Sequence, residues 1–414
     1  MRLIFGHVAL VAVVFAGQSE PNGRVITFGE AIQLADQHNP QLQAGSAQVA
    51  AARSGIVTAN AYPNPEAGMI AGRQTYRVPG NVSGLIYSFG VSQPLELGGL
   101  RPARRQLAER GIESSRQALE ETRLAVLSTV RRAFYQVLRR QGEIAIHVEN
   151  LRLVEDLRNR IQVLVEVGEA GRLELVRADA EVTTARSTAS SARIQYVAAL
   201  SQLRAAIGTE LPTELRLQGE LDAPITLPPI EEFRKLTLER NPAYALALAE
   251  VRRAEARLGY ESAQVRPQPS LRVEVDRPPD SPTYRAGISI PLPFWNRREG
   301  PILEAQALIT QARAIANSRQ LELIAEVEGA YRRYEVVTEQ LAAYREGVLR
   351  EAEEALRGAQ AAYQLGERGI LEVLDAQRVL RTVRLDLLHA QFDRQAALID
   401  LDELKAVDLR RQQP

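Results

Sequence analysis

Gly168-Glu-Ala-Gly-Arg-Leu-Glu-Leu-Val-Arg-Ala178 returns further along the chain as Gly366-Glu-Arg-Gly-Ile-Leu-Glu-Val-Leu-Asp-Ala376. Other landmarks repeat in the same order at nearly the same offset. Asn39-Pro40 returns as Asn241-Pro242, and Pro63-Asn64-Pro65 as Pro267-Gln268-Pro269. Gly90-Val91-Ser92 ahead of Pro94 returns as Gly287-Ile288-Ser289 ahead of Pro291. Four matches in one order make the chain a duplication, and its period is the size of a domain, far longer than a solenoid repeat.

Each copy of the segment lies within a long stretch without proline, from Pro102 to Pro212 and from Pro301 to Pro414. Proline inside a helix removes a hydrogen bond and collides with the preceding turn, so its absence leaves room for very long helices. Apolar residues at spacings of three and four (Leu127, Val130, Phe134, Val137, Ile144, Val148, Leu151, Val154, Leu157, Ile161, Leu164) form a coiled-coil seam. At 1.5 Å per residue, Gly99 to Val167 is a rod of roughly 100 Å, too long for a globular domain. The glycine pairs Gly168/Gly171 and Gly366/Gly369 predict the end of each rod and a sharp reversal. Returning helices are expected over Leu173 to Ile207 and Ile370 to Val407. A shorter helix opens each half, one capped by Thr27 with Glu30 three residues on, the other from Ile230. The Asn-Pro pairs mark turns or kinks in these helices.

Between the helices the pattern changes to a period of two. Leu85, Tyr87, Phe89 and Val91 alternate with Ile86, Ser88, Gly90 and Ser92; Leu271, Val273 and Val275 alternate with Arg272, Glu274 and Asp276; Tyr284, Ala286, Ile288 and Ile290 alternate with Arg285, Gly287 and Ser289. A weaker fourth strand covers 64–76, and hairpin turns are expected near Pro79-Gly80-Asn81 and Pro278-Pro279-Asp280. Each run is about as long as a membrane-spanning strand requires. Four strands cannot close a barrel, since membrane barrels begin at about eight. An open edge in lipid leaves backbone groups unpaired, so other copies of the chain must complete the wall. Three copies would supply twelve strands around a polar lumen. Alternation alone is also compatible with a soluble sandwich that has one wet face.

Composition narrows the function classes. Acidic and basic residues balance at 51 each without a basic stripe, which argues against nucleic-acid binding. Charged stretches such as Arg104-Arg105 and Arg350-Glu351 read as solvated helix faces. The chain has no cysteine, hence no disulfide, no thiol chemistry and no lipid-anchor cysteine. Met1-Arg2 and the apolar run Leu3 to Phe15, with Val14 and Ala16 at small-residue positions, read as a signal peptide over 1–16. The four histidines, His7, His38, His147 and His389, have no partner at metal-ligand spacing; Glu143 precedes His147 by four but no second histidine joins them. No phosphate loop or nucleophile elbow is present. No catalysis, cofactor or metal site is expected.

Taken together, these landmarks resemble the TolC-type outer-membrane factors, the exit ducts of tripartite efflux pumps and type I secretion systems. The resemblance covers about residues 25–407. It is carried by the two reversal segments, by Gln93-Pro94-Leu95-Glu96-Leu97-Gly98-Gly99, and by Pro291-Leu292-Pro293-Phe294-Trp295-Asn296-Arg297. The last of these is similar to the cation-efflux branch, whose pumps export cobalt, zinc, cadmium or copper. The resemblance implies a mainly α protein with a membrane β-barrel: a homotrimer whose twelve-stranded barrel continues as a twelve-helix barrel through the periplasm. It also implies a periplasmic adaptor at the reversal tips, a resistance-nodulation-division transporter in the inner membrane, and outer-membrane lipid around the strands. By motif matching, Tyr363 and Arg368 correspond to residues that tether the inner helix pair when the tip is closed. Glu174 takes the place of their acidic partner, while Glu372 and Asp375 fall where acidic residues ring the constriction. Glu stands at 174 and 372 where the best-known form has Asp, and Leu173 replaces a hydrogen-bonding Thr.

The expected organisation is a signal peptide (1–16), an extension (17–26), a first repeat (27–211; strand pair 64–95, helix hairpin 99–207), a linker (212–229), a second repeat (230–407; strand pair 269–292, helix hairpin 296–407) and a tail (408–414). The residue pattern alone also admits a multidrug or type I secretion duct of the same architecture, and a periplasmic coiled-coil adaptor or scaffold. Two paired strand sets in a duplicated chain favour the duct.

Overall fold

A computed structural model describes residues 24–75, 82–212, 215–221 and 227–408. The segment read as a signal peptide (1–16), the turn expected at Pro79-Gly80-Asn81 and most of the tail lie outside the described residues. The first half runs β1 (Arg24–Thr27), α1 (Phe28–His38), α2 (Pro40–Asn60), β2 (Glu66–Gln74), β3 (Gly84–Pro94), α3 (Leu100–Glu166) and α4 (Arg172–Ile207). After β4 (Leu215–Gln218) the order recurs as α5 (Ile230–Arg240), α6 (Pro242–Ala263), β5 (Ser270–Arg277), β6 (Thr283–Ser289) and α7 (Glu299–Ala343). A π-helical segment, Tyr344–Val348, joins α7 to α8 (Leu349–Gln364), and α9 (Ile370–Leu404) returns.

α3 is 67 residues of unbroken helix. Its seam residues Leu127, Val130, Phe134, Val137, Val154 and Ile161 are buried, against α1 and α4 in the upper half and against α8 and α9 near the tip. The second rod departs from the expected unbroken helix. Its π turn adds a residue to the repeat and rotates everything beyond it relative to α7, which the spacing of apolar residues did not reveal.

The Asn-Pro pairs do more than kink a helix. Thr27 and Glu30 cap α1 with the expected reciprocal box. The chain then breaks at Asn39, whose Oδ1 accepts from the Gln41 N–H at 2.9 Å to start α2, with Pro40 in the first turn. The Asn39 amide donates to the Ala206 carbonyl at 2.9 Å, in the last turn of α4. The second repeat does the same: Asn241 accepts from Ala243 at 3.0 Å and donates to the Leu404 carbonyl at 3.1 Å, at the end of α9. Both asparagines are buried, so each fastens the start of a short helix to the end of a long one.

Ion pairs hold the two repeats together beside these joints. Arg131 on α3, almost fully buried, meets Asp402 on α9 at 2.6 Å. Arg132 meets Asp400 at 2.8 Å and Glu403 at 2.5 Å, and within the second repeat Arg333 meets the same Asp400 at 3.1 Å. A short parallel pair, β1 with β4, covers the core around Phe134 in the first repeat. These strands fall in segments read from sequence as an extension and a linker, because four residues are too few to show alternation.

The second sheet has the order β2-β3-β5-β6, antiparallel throughout. Its register lines up one row of Met69, Phe89, Val275 and Tyr284 and another of Ala67, Val91, Val273 and Ala286. The opposite face carries Gly90, Glu274 and Arg285 in one row and Ser88, Asp276 and Thr283 in the next, with Arg285 paired to Asp276. One face is apolar and exposed; the other is mostly polar, with Ile70 and Ile86 its apolar members. Among the described residues, strands β2 and β6 have no neighbour on their outer edges. Among the described residues no helix is long and apolar enough to cross a membrane. Where the sheet meets the helices, Arg104 is no solvated face: it donates to the Ala59 and Ala61 carbonyls at the end of α2 and pairs with Glu96. Arg101 does the same for Asn60 at 2.9 Å and stacks on Tyr62.

Replacing Asn241 with Ala removes a helix cap and strands the Leu404 carbonyl, an expected loss of about 1–2 kcal/mol. Urea unfolding of the detergent-solubilised protein measures it. An unchanged midpoint would mean the Asn joint is not structural.

Candidate functional site at the helix-reversal tip

The two reversals close in the same way. At the end of α3, Gly168 adopts φ +84°, the Glu169 N–H reaches back to the Leu164 carbonyl at 2.8 Å, and the Gly168 N–H to Val165 at 3.2 Å. At the end of α8, Gly366 adopts φ +73°, with Glu367 bonded to Ala362 at 2.9 Å and Gly366 to Tyr363 at 3.1 Å. This left-handed cap needs glycine at one position of each pair. The second glycines differ from expectation. Gly171 and Gly369 stand at φ −77° and −80°, ordinary extended backbone ahead of α4 and α9, so the reversals do not depend on them. Beneath the turns the hairpins share one apolar core, in which Ile161 and Ala178 of the first pack with Ala352, Leu356, Ile370, Val373 and Leu374 of the second.

The candidate latch residues come together in part. The Tyr363 hydroxyl donates to Glu174 Oε2 at 3.4 Å, across from α8 to α4. Burial and the neighbouring carboxylate push the Tyr363 hydroxyl pKa up, so it remains a donor through the physiological range. Within one protomer Arg368 does not reach Glu174; its Nη1 lies 4.0 Å from Glu372 Oε1, one turn along its own hairpin, with both side chains exposed. Superposing the two halves of the sequence explains the division of labour. Glu174 and Glu372 are equivalent positions, but Val165 and Ala170 stand where the second repeat has Tyr363 and Arg368. The first hairpin supplies an acceptor and the second the donors.

Glu372 and Asp375 share an exposed face of α9. They line a groove of about 570 Å³ with Arg177, Glu181 and Thr184 of α4 and Arg378 of α9. The groove is therefore mixed in charge, which the acidic pair alone did not suggest. Glu181 binds Arg378 at 3.1 Å and lies 3.9 Å from Arg381. Sequence reading missed Glu181 because its partners are a whole repeat away. Another distant cluster lies higher on the rod, where buried Glu143 meets Arg140 at 2.7 Å and His389 at 3.0 Å. Burial works against the Glu143 carboxylate, but Arg140, His389 and Arg139 together hold its pKa below the usual range. Among the described residues no group of three or more His, Asp or Glu is placed to hold a metal ion.

The outer membrane efflux protein family model matches residues 31–209 and 234–406, both repeats. The chain belongs to this family. It is 28% identical to the cobalt-zinc-cadmium resistance protein CzcC of Cupriavidus metallidurans over 369 residues, 88% of this chain and 86% of that one. It is 26% identical to the nickel-cobalt-cadmium resistance protein NccC of Alcaligenes xylosoxydans xylosoxydans, over 68% of this chain and 64% of the relative. A crystal structure of CusC superposes with a TM-score of 0.77 at 20% identity, covering 91% of each chain. The fold is that of a TolC-type outer-membrane channel, and the protein is an outer-membrane one.

The two glycines of the second reversal should separate on substitution. Gly366→Ala forces a side chain into the left-handed region and should cost about 1–2 kcal/mol. Gly369→Ala should be nearly neutral, since the nearest atom to an added Cβ is the movable Glu372 carboxylate at 3.6 Å. Thermal unfolding in detergent compares them, and equal losses would contradict the backbone reading.

Proposed function

We propose that three copies of this chain form a passive outer-membrane duct for heavy-metal cations, the exit of a tripartite pump. The feature that carries the reading is the four-stranded sheet, apolar on one face and open at β2 and β6. Copies joined edge to edge close it into twelve strands with Glu274, Arg285 and Asp276 inside. Metal cargo is supported by the relatives whose names state resistance to cobalt, zinc, cadmium and nickel. In this reading the chain has no catalytic role. A signal peptide over 1–16 directs export, a periplasmic adaptor docks around Gly168, Gly171, Gly366 and Gly369, and a resistance-nodulation-division transporter supplies the energy.

The tip is the gate. Glu372 and Asp375 from three copies make two stacked carboxylate rings that favour cations. Tyr363 holds Glu174 within a protomer, and Arg368, free of Glu174 in its own chain, reaches the carboxylate of the adjacent copy. Arg–carboxylate pairing of that kind is directional and breaks when an adaptor spreads the hairpins.

Planar-bilayer conductance tests the gate. Arg368→Ser and Tyr363→Phe should each raise conductance without an adaptor, and Asp375→Ala should weaken cation preference. An anion-preferring pore unaffected by Asp375→Ala would rule out the ring. Cargo is tested separately: deleting the gene should lower tolerance of cobalt, zinc or cadmium several-fold and leave solvent tolerance unchanged. The opposite pattern would assign an organic cargo.

A further inference from the structure

The apolar row of β6 does not end with the strand. Tyr284, Ala286 and Ile288 occupy the apolar face, and the same spacing of two continues through Ile290, Leu292 and Phe294, past the last paired residue, Ser289. Ile288, Leu292 and Phe294 are 64%, 57% and 65% exposed. The row ends at Phe294, and next to it stands Trp295, 95% exposed and the only tryptophan in the chain. Its ring stands edge-on to Phe294, with centroids 6.2 Å apart. Exposed Arg297 follows, and α7 begins at Glu299.

The matching junction of the first repeat is built differently. There the Leu95 N–H bonds to the Pro269 carbonyl at 2.7 Å, the Leu97 N–H to Gln268 Oε1 at 2.9 Å, and Glu96 pairs with Arg104. That junction is knitted into the protomer. Phe294 and Trp295 belong to none of the apolar cores. The backbone of the second junction also asks little of its surroundings. Pro291 and Pro293 have no N–H, and the Phe294 N–H is satisfied by the Leu292 carbonyl at 2.9 Å. These three positions leave no free donor, which lowers the cost of taking the segment out of bulk water.

We propose that the Leu292–Trp295 turn sits in the phospholipid of the periplasmic leaflet, at the level where acyl chains meet headgroups, and sets the depth of the barrel. Exposed apolar side chains that follow directly on the lipid-facing row extend an existing membrane surface. The indole supplies an apolar body and one N–H, the combination that prefers this layer. Arg297 lies within one turn of it and meets the lipid phosphates. The assignment rests on the sheet being the membrane wall, and the test separates the two.

The single tryptophan makes the test direct. The protein is reconstituted in phosphatidylcholine vesicles whose acyl chains carry bromine either near the headgroup or near the bilayer centre, and tryptophan emission is recorded. Trp295 should be quenched about two- to threefold more by the shallow bromine than by the deep one, as expected of an interfacial ring. A control chain, Trp295→Phe with Ile288→Trp, places the probe on the strand and should favour the deeper bromine. If the control is quenched and Trp295 is not, the membrane wall stands and the anchor is overturned. In that outcome, blue-shifted emission would mean cover by an adjacent copy, and red-shifted emission quenched by iodide would mean water. If neither probe is quenched, the membrane wall fails and the anchor falls with it.

Discussion

A four-stranded sheet with one apolar face and two free edges cannot exist alone in lipid. Each unpaired N–H or C=O on β2 or β6 would cost several kcal/mol in hydrocarbon, where water is absent. Everything else in the molecule answers this constraint. Duplication provides two strand pairs from one sequence pattern, and the pairing of β3 with β5 joins the repeats into one wall segment. The outer edges are left for identical partners, so closure becomes a matter of rotational symmetry.

Below the sheet the demand is rigidity over a long distance. Helix α3 alone runs for 67 residues, and a rod transmits position only if it is fastened to its neighbours. Asn39 and Asn241 fasten the returning helices α4 and α9 that pack beside it, each joining a short helix to the end of a returning one. Arg131 and Arg132 then bind the repeats to one another through Asp400, Asp402 and Glu403. Within this fastened body the tip is the loosely held end. Its polar links are one hydroxyl–carboxylate bond of 3.4 Å and exposed ion pairs, individually worth under about 1 kcal/mol. The proposed gate needs that contrast between a fastened rod and a weakly linked tip.

The repeat, the rods, the strands and their apolar face were legible in the sequence because each is a periodic signal many residues long. The π segment at Tyr344–Val348 was not, since it changes the helical register without changing composition. The β1–β4 pair was too short to show a pattern. Gly168 and Gly366 were read for the right reason, whereas Gly171 and Gly369 were assigned a conformational need they do not have. At the site, motif matching brought Tyr363 to Glu174, yet Arg368 turns to Glu372 in its own chain. The charges opposing the acidic pair, Arg177 and Arg378, and the pairing of Glu143 with His389, depend on packing between distant segments. Local spacing carries no record of it.

The mass of the protein extracted from outer membranes in mild detergent, measured by native mass spectrometry, tests threefold closure most directly. Three chains per particle are expected. A stable single chain, its apolar strand face covered by its own residues, would contradict the tube.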